Sequence, residues 1–183
     1  MQQNMNNPTS HPYCIWLTGF SGAGKSTLAQ AIQHQLTERG ERAYILDGDS
    51  VRNGLNKDLG FSVIDRRENI RRIAEVARLM VDAGLIVIVA FISPFRKDRA
   101  MARALFDHHA FVEVFVDAPL AVCEQRDVKG LYHRARQGQL DDFTGISSPY
   151  EIPHQPEVHL QTHIETVPAC VQRILNKLFE QHP

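Results

Sequence analysis

Cysteine is scarce in this chain. Its three cysteines, Cys14, Cys123 and Cys170, lie far apart, with no Cys-x-x-Cys pair and no second ligand cluster beside them. That excludes a disulfide framework and a zinc ribbon, and it suits buried thiols in a reducing cytoplasm. An excess of either charge is missing too. Lys and Arg number 20 against 21 Asp and Glu, for a formal net charge of −1. No global field draws the chain to nucleic acid or to an anionic membrane, so an anionic substrate must be held by local cations. Long apolar runs are also absent. The longest, Leu85 to Ile92, has eight residues, whereas a membrane-spanning helix needs about 20. The stretch 1–12 is polar and uncharged and lacks the basic start and apolar core of a signal peptide. It reads as a disordered lead, and the chain as a cytoplasmic protein. The hydrophobic fraction of 43% suffices for one core, so 13–183 is expected to form a single domain.

Short apolar runs alternate with longer helical patterns. Strands are expected at Cys14–Thr18, Ala43–Leu46, Leu85–Phe91 and Phe111–Val116, with a short last one at Val158–Leu160. The run 85–91 is continuously apolar and β-branched, as a strand covered on both faces should be. Helices are expected over 25–39, stopped by Gly40, and over 65–83, closed by Gly84. In the second, Ile70, Ile73, Ala74, Ala77, Met80 and Val81 make one apolar stripe. Further helices are expected near 97–106, from Pro119, and in a final segment that buries Val167, Cys170, Val171, Ile174, Leu175 and Leu178. Residues 127–156 are polar with weak periodicity and read as a mobile lid, about 127–145, plus a connecting loop. The class is α/β, a parallel sheet with helices on both faces. Such sheets place their sites beyond the carboxyl ends of the strands, where the polar segments 19–26, 47–54 and 92–99 fall.

Gly19-Phe20-Ser21-Gly22-Ala23-Gly24-Lys25-Ser26 satisfies G-x-x-x-x-G-K-[ST] between a strand and a helix. Its glycines let backbone N–H groups turn inward onto phosphate oxygens, and the following helix adds its positive end. Lys25 is expected on the β- and γ-phosphates and Ser26 on Mg²⁺. The motif specifies ATP or GTP and is silent on the acceptor. The strand 85–91 ends without an acid, so Asp47 and Asp49 are the candidates for the metal shell. Asp49 is the stronger one, able to orient a hydroxyl acceptor and take its proton; the structural alternative is an N-cap of the helix starting at Ser50. Asp117 reads as supporting.

Arg52, Phe61, Arg66, Arg67, Asn69, Arg71 and Arg72 follow as a basic and aromatic group. Arg66 and Asn69 are three apart and share a helix face, a plausible clamp for phosphate or sulfate. Arg71 and Arg72 fit a solvated face. Phe61 and Phe143 lie in loops on opposite sides of the expected cleft, either as core plugs or as stacking surfaces for a base. Lys129 to Arg136 form a basic run in the lid. His108-His109 reads as a surface pair.

These blocks together resemble the adenylyl-sulfate kinase family. The resemblance covers about 13 to 160 and rests on 19–27, 47–62, 65–77, 91–99, 126–138 and 143–151. It implies a P-loop NTPase fold of the nucleoside-kinase type, a three-layer sandwich with a lid. The implied reaction moves the γ-phosphate of ATP, with Mg²⁺, onto the ribose 3′-hydroxyl of adenylyl sulfate. By resemblance, ATP is held by Gly19, Ser21, Gly22, Ala23, Gly24, Lys25, Ser26 and Thr27, with Arg126 near its base. The acceptor falls to Asp49, Arg52, Phe61, Arg66, Asn69, Ile92, Ser93, Lys129, Leu131 and Phe143, with its adenine between Phe61 and Phe143. Lys25, Asp49 and Ser93 are the implied catalytic set, and Ser26 and Asp49 the implied metal ligands. Ser93 matches a serine sometimes assigned as a phosphorylated intermediate. In-line transfer needs only positioning and charge stabilisation, and no neighbour in sequence supplies Ser93 with a base. The family also implies a homodimer, and a detached kinase domain that works only beside an ATP sulfurylase partner is a further reading of the chain. Ser50, Asn53, Ala90 and Val128 depart from its pattern without removing a charge or aromatic ring named above. The rival readings are a P-loop kinase for a nucleoside monophosphate or sugar, and a nucleotide-binding regulator without turnover.

Overall fold

A computed structural model describes residues 11–107 and 109–179. The lead assigned to 1–12 therefore lies almost wholly outside the described residues, as does His108 of the histidine pair. In chain order the elements are β1 (Cys14–Thr18), α1 (Lys25–Glu38), β2 (Ala43–Asp47), α2 (Gly48–Asn53), α3 (Val63–Asp82), β3 (Ile86–Ala90), α4 (Arg96–Arg103), β4 (Phe111–Asp117), α5 (Leu120–Arg126), α6 (Leu131–Arg136), β5 (Val158–Gln161) and α7 (Val167–Phe179). The strands form one parallel sheet in the order β2-β3-β1-β4-β5.

Side chains alternate across the central strands, and each face has its own core. Ile15 and Leu17 of β1 join Ile86, Ile88, Val112 and Val114 under α1 and α7. Cys14 and Trp16 join Val87, Val89 and Phe111 under α3. Because both faces are covered, the strands read as continuous apolar runs. Each fully buried aliphatic side chain contributes roughly 1.5–3 kcal/mol, so this layer holds the phosphate-binding turn on a rigid base. All three cysteines are buried free thiols.

Several boundaries move for local reasons. α3 starts at Val63, two residues before the apolar stripe suggests, because the Ser62 hydroxyl accepts from Asp65 N at 3.2 Å and caps it. Gly84 (φ 82) ends it, donating to Val81 O at 2.8 Å. α2 is capped by the Asp47 side chain, which accepts from Asp49 N at 3.0 Å. The N-cap weighed as the structural alternative for Asp49 thus belongs to Asp47. Val167, expected in the core, is 39% exposed in the first turn of α7, while Cys170, Val171, Ile174, Leu175 and Leu178 are buried as expected.

The region 127–156 holds the helix α6, which weak periodicity concealed. It is only six residues long. Its start is fixed by Asp127, whose carboxylate accepts from Tyr132 N and His133 N, each at 3.0 Å. No helix among the described residues is long and apolar enough to cross a membrane.

Candidate active site

One cavity of about 740 Å³ opens over the carboxyl ends of the strands. It is lined by the turn after β1, the Asp47-Gly48-Asp49 segment after β2, Ile92 and Ser93 after β3, and α6 with its flanks. Of the residues expected to bind ATP or acceptor, all reach this cavity except Gly19 and Ala23, which shape the turn from behind.

The turn is built by close backbone approach. A Cβ on Gly19 (φ 151) would stand 2.2 Å from Val116 O, inside β4. Gly22 (φ 74) passes 3.1 Å from Cys123 O in α5 by the same measure, and Gly24 (φ 104) is the left-handed entry to α1. Ala23 is fully buried. Its carbonyl accepts from Thr162 Oγ1 at 2.7 Å, and Arg126 donates to Gly22 O at 3.1 Å and Thr162 O at 2.9 Å. Arg126 at the end of α5 and Thr162 just after β5 thus brace the turn. Tyr132 braces it from α6, donating its hydroxyl to Ser21 O at 2.9 Å. Neither Tyr132 nor Thr162 was legible beforehand, since each acts on backbone more than a hundred residues away.

Lys25 is buried, and its ammonium donates to Gly19 O at 2.9 Å and Phe20 O at 2.7 Å. Burial pushes its pKa down to about 8, with Lys129 adding to the drop and Cys123 and Asp47 opposing it. Ser26 donates to Asp47 Oδ2 at 3.1 Å. Asp49 instead accepts from Lys129 of the α5–α6 connection. The two acids weighed for the metal, of which sequence favoured Asp49, therefore divide: Asp47 stands with Ser26, Asp49 with Lys129. A hydroxyl and two carboxylates beside a phosphate cradle are hard oxygen donors, the set that suits Mg²⁺ shared with substrate phosphates. The residues fit that ion.

Arg52, also lining the cavity, donates to Leu59 O at 3.2 Å and Gly60 O at 3.0 Å, and its guanidinium lies 4.3 Å over the Phe61 ring. Arg66 donates to Phe61 O at 2.8 Å, to Thr144 Oγ1 at 2.7 Å, and to Asp142 O. It therefore ties α3 to the loop that carries Phe143. Burial lowers the pKa of both arginines, as expected for cations drawn out of water to meet an anion. Phe143 is half-buried, edge-on to Tyr132 at 5.0 Å. Phe61 is 61% exposed, with Arg52 stacked on it. The solvated face expected of Arg71 and Arg72 is an ion-pair cluster, in which Arg71 pairs with Glu68 and Arg72 with Glu68 and Asp58.

Ser93 is buried with φ 39, a strained value for a residue with a side chain. Its Oγ accepts from the Trp16 indole at 3.0 Å and lies 3.4 Å from Phe91 O. Arg99, itself buried, clamps the Ser93 carbonyl at 2.6 Å while pairing with Glu113 at 2.7 Å and donating to Glu151 O at 2.7 Å. The strain at Ser93 is thus held from beneath by a buried ion pair.

The family model described as adenylylsulphate kinase matches residues 11–161. The chain belongs to this family. An adenylyl-sulfate kinase of Geotalea daltonii is 60% identical over 164 residues, spanning 90% of this chain and 81% of the relative. One of Burkholderia ambifaria is 62% identical over 167 residues, 91% and 92% of the two chains. The Mycobacterium tuberculosis APS kinase CysC, solved with AMPPNP and APS, superposes with a TM-score of 0.87 at 46% identity, covering 92% of this chain and 98% of that one.

Proposed function

We propose that this adenylyl-sulfate kinase family member transfers the γ-phosphoryl group of ATP to the ribose 3′-hydroxyl of adenylyl sulfate, giving 3′-phosphoadenylyl sulfate and ADP. The observation that supports the reading is one cavity lined by two chemically distinct groups, the P-loop turn on the one hand and Arg52, Phe61, Arg66, Asn69 and Phe143 on the other. Its volume sits high in the range of small-molecule sites, about 300–1,000 Å³.

In this mechanism the inward amides of 19–26 and the start of α1 receive the ATP phosphates. Lys25 exchanges the carbonyls of Gly19 and Phe20 for β- and γ-oxygens. Arg126 stands at the base end. Ser26, Asp47 and Asp49 would hold Mg²⁺, which supplies positive charge to the phosphate oxygens when bound. Arg52 and Arg66 hold the acceptor's phosphosulfate, Phe61 and Phe143 its adenine, and Ile92 and Leu131 close its flanks. Lys129 leaves Asp49 for the incoming anions, which frees that carboxylate to orient the 3′-hydroxyl and take its proton. As the bond from the 3′-oxygen to the γ-phosphorus forms, the bond to the β,γ-bridging oxygen breaks and ADP leaves. Closure of 127–145 as a lid would exclude water from the transfer. The reading extends to a cytoplasmic homodimer that takes its acceptor from an ATP sulfurylase.

The test is direct. Pure protein with Mg-ATP and adenylyl sulfate should yield ADP and 3′-phosphoadenylyl sulfate in equal amounts, identified by mass. Transfer only to nucleoside monophosphates or sugars, or ATP binding with no turnover on any acceptor, would overturn the assignment.

Two further outcomes are expected. Ser93→Ala should keep transfer within about tenfold of wild type, because in-line transfer needs no covalent serine. It should destabilise the fold by about 1–3 kcal/mol, as the buried Trp16 indole loses its acceptor; urea unfolding measures this. Loss of all turnover in folded Ser93→Ala would restore a phosphoserine step.

ATP affinity should fall as pH rises above about 8, the Lys25 value. Bound phosphates favour the ammonium, so binding takes up a proton there, and the dissociation constant grows by up to about tenfold per pH unit. Stability of the free protein responds with the opposite sign. The unfolded chain holds the Lys25 proton more tightly, so this group's contribution to stability rises with pH from about 8 towards the ordinary lysine value. Calorimetric titration of ATP across pH 7–10 in buffers of different ionisation heat checks the proton uptake.

A further inference from the structure

Asn56 is 0% exposed and does not line the cavity. Its side chain makes one hydrogen bond: Nδ2 donates to Asn69 Oδ1 at 2.9 Å. Its own Oδ1 is buried without a partner among the described residues. Asn69 is buried in the first half of α3 and lines the cavity. Its Nδ2 makes no hydrogen bond among the described residues and is not one of their buried unpaired atoms, so it is the half of the amide that opens on the cavity.

From this we infer that Asn56 is a positioning residue that fixes the orientation of the Asn69 amide, so that Asn69 presents N–H donors rather than an oxygen to the acceptor. The inference deepens the proposed function, on which it rests. An anionic acceptor carrying phosphate, sulfate and ribose oxygens is rich in hydrogen-bond acceptors, and an amide that turned its oxygen inward would repel it. Left alone, an asparagine can rotate its amide by half a turn at little cost. Here the reverse orientation would leave both N–H groups of Asn56 buried and unpaired, where the present one leaves its oxygen and a single N–H; a buried unpaired N–H is tolerated less often than an under-satisfied oxygen, so the present orientation is the better one.

Asn56 can impose this because it is itself held. Its backbone N donates to Val51 O at 3.0 Å, and its carbonyl accepts from Leu59 N at 3.1 Å. Arg72 of α3 grips Asp58 in the same turn through two bonds of 2.8 and 2.9 Å. The turn that supplies Asn56 is thus locked to the helix that supplies Asn69. The backbone carbonyls of Leu59 and Gly60, at the end of that turn, orient Arg52, so the turn organises two of the proposed acceptor groups together.

The experiment is a double-mutant cycle on the full chain, with initial rates for adenylyl sulfate and Mg-ATP. Asn56→Ala should raise KM for adenylyl sulfate about tenfold while KM for ATP stays within about twofold. Asn69→Ala should do the same, and the double variant should be no worse than Asn69→Ala, because Asn56 acts only through it. Asn56→Ala also removes the unpaired buried oxygen, so folding should hold, with Tm checked for each protein. Asn56→Asp keeps the volume but can only accept, which forces Asn69 to donate to it and turn its oxygen to the cavity. That variant should lose more acceptor affinity than Asn56→Ala, and it carries the test if the alanine variant does not fold. Multiplied losses in the double variant, an equal rise in both KM values, or wild-type behaviour of Asn56→Asp would each overturn the inference while leaving the function standing. A wild-type chain that does not turn over adenylyl sulfate is a separate failure, which removes the function and the inference with it.

Discussion

Replacing Lys25 by alanine should lower kcat/KM for phosphoryl transfer on the order of a thousandfold, ~4 kcal/mol of transition-state stabilisation. The ammonium is the only cation embedded in the phosphate turn itself, at 2.9 Å from Gly19 O and 2.7 Å from Phe20 O. Charge on the γ-phosphoryl oxygens changes most in the transition state, and a preorganised cation at that point is worth most there. Lys25→Met, which keeps much of the buried stem, should lose as much as Lys25→Ala, which separates charge from packing. Neither should unfold the protein, because each removes a cation that burial already disfavours. Single-turnover rates with saturating substrates, alongside Tm, check both parts. Transfer surviving within tenfold in Lys25→Met would mean that the turn is not the catalytic phosphate site.

The second large effect is expected in acceptor binding. Phe143→Ala should raise KM for adenylyl sulfate about 10- to 100-fold with little change for ATP, since stacking on a nucleobase contributes about 1–3 kcal/mol. Phe143 is suited to this because Tyr132 meets it edge-on at 5.0 Å. Tyr132 also reaches Ser21 O, so acceptor platform and phosphate turn share a support. The contrast with Phe61→Ala is informative. Phe61 is largely exposed and carries Arg52 at 4.3 Å, so its removal also frees a guanidinium and should lower acceptor affinity less selectively. Equal loss of ATP and acceptor in Phe143→Ala would assign the ring to core packing. Fluorescence titration with each nucleotide separately distinguishes the two.

The turn after β1 and its lysine were legible because their parts are contiguous. Eight residues between a strand and a helix specify turn, amide direction and ammonium by short-range geometry alone. The acceptor residues could be named from family resemblance, and they do meet in one cavity, but their bonds could not be read. Arg66 holds Thr144, 78 positions away, and Ser93 Oγ accepts from the Trp16 indole, 77 positions away. α6 escaped notice because six residues carry too little periodicity to register.

By itself the chain's order of residues determined the parallel α/β sheet, the strand that feeds the glycine-rich turn, and the candidate groups for gripping phosphate. Those depend on local propensity and on apolar period, which operate within a few turns of backbone. Only the tertiary structure decided that Asp47 partners Ser26 while Asp49 partners Lys129, that Gly19 must lack a side chain because β4 passes behind it, and that Asn56 donates to Asn69. Each of those depends on which distant segments the folded sheet brings within hydrogen-bond reach, and pairing of that kind is set by packing across layers rather than by neighbours along the chain.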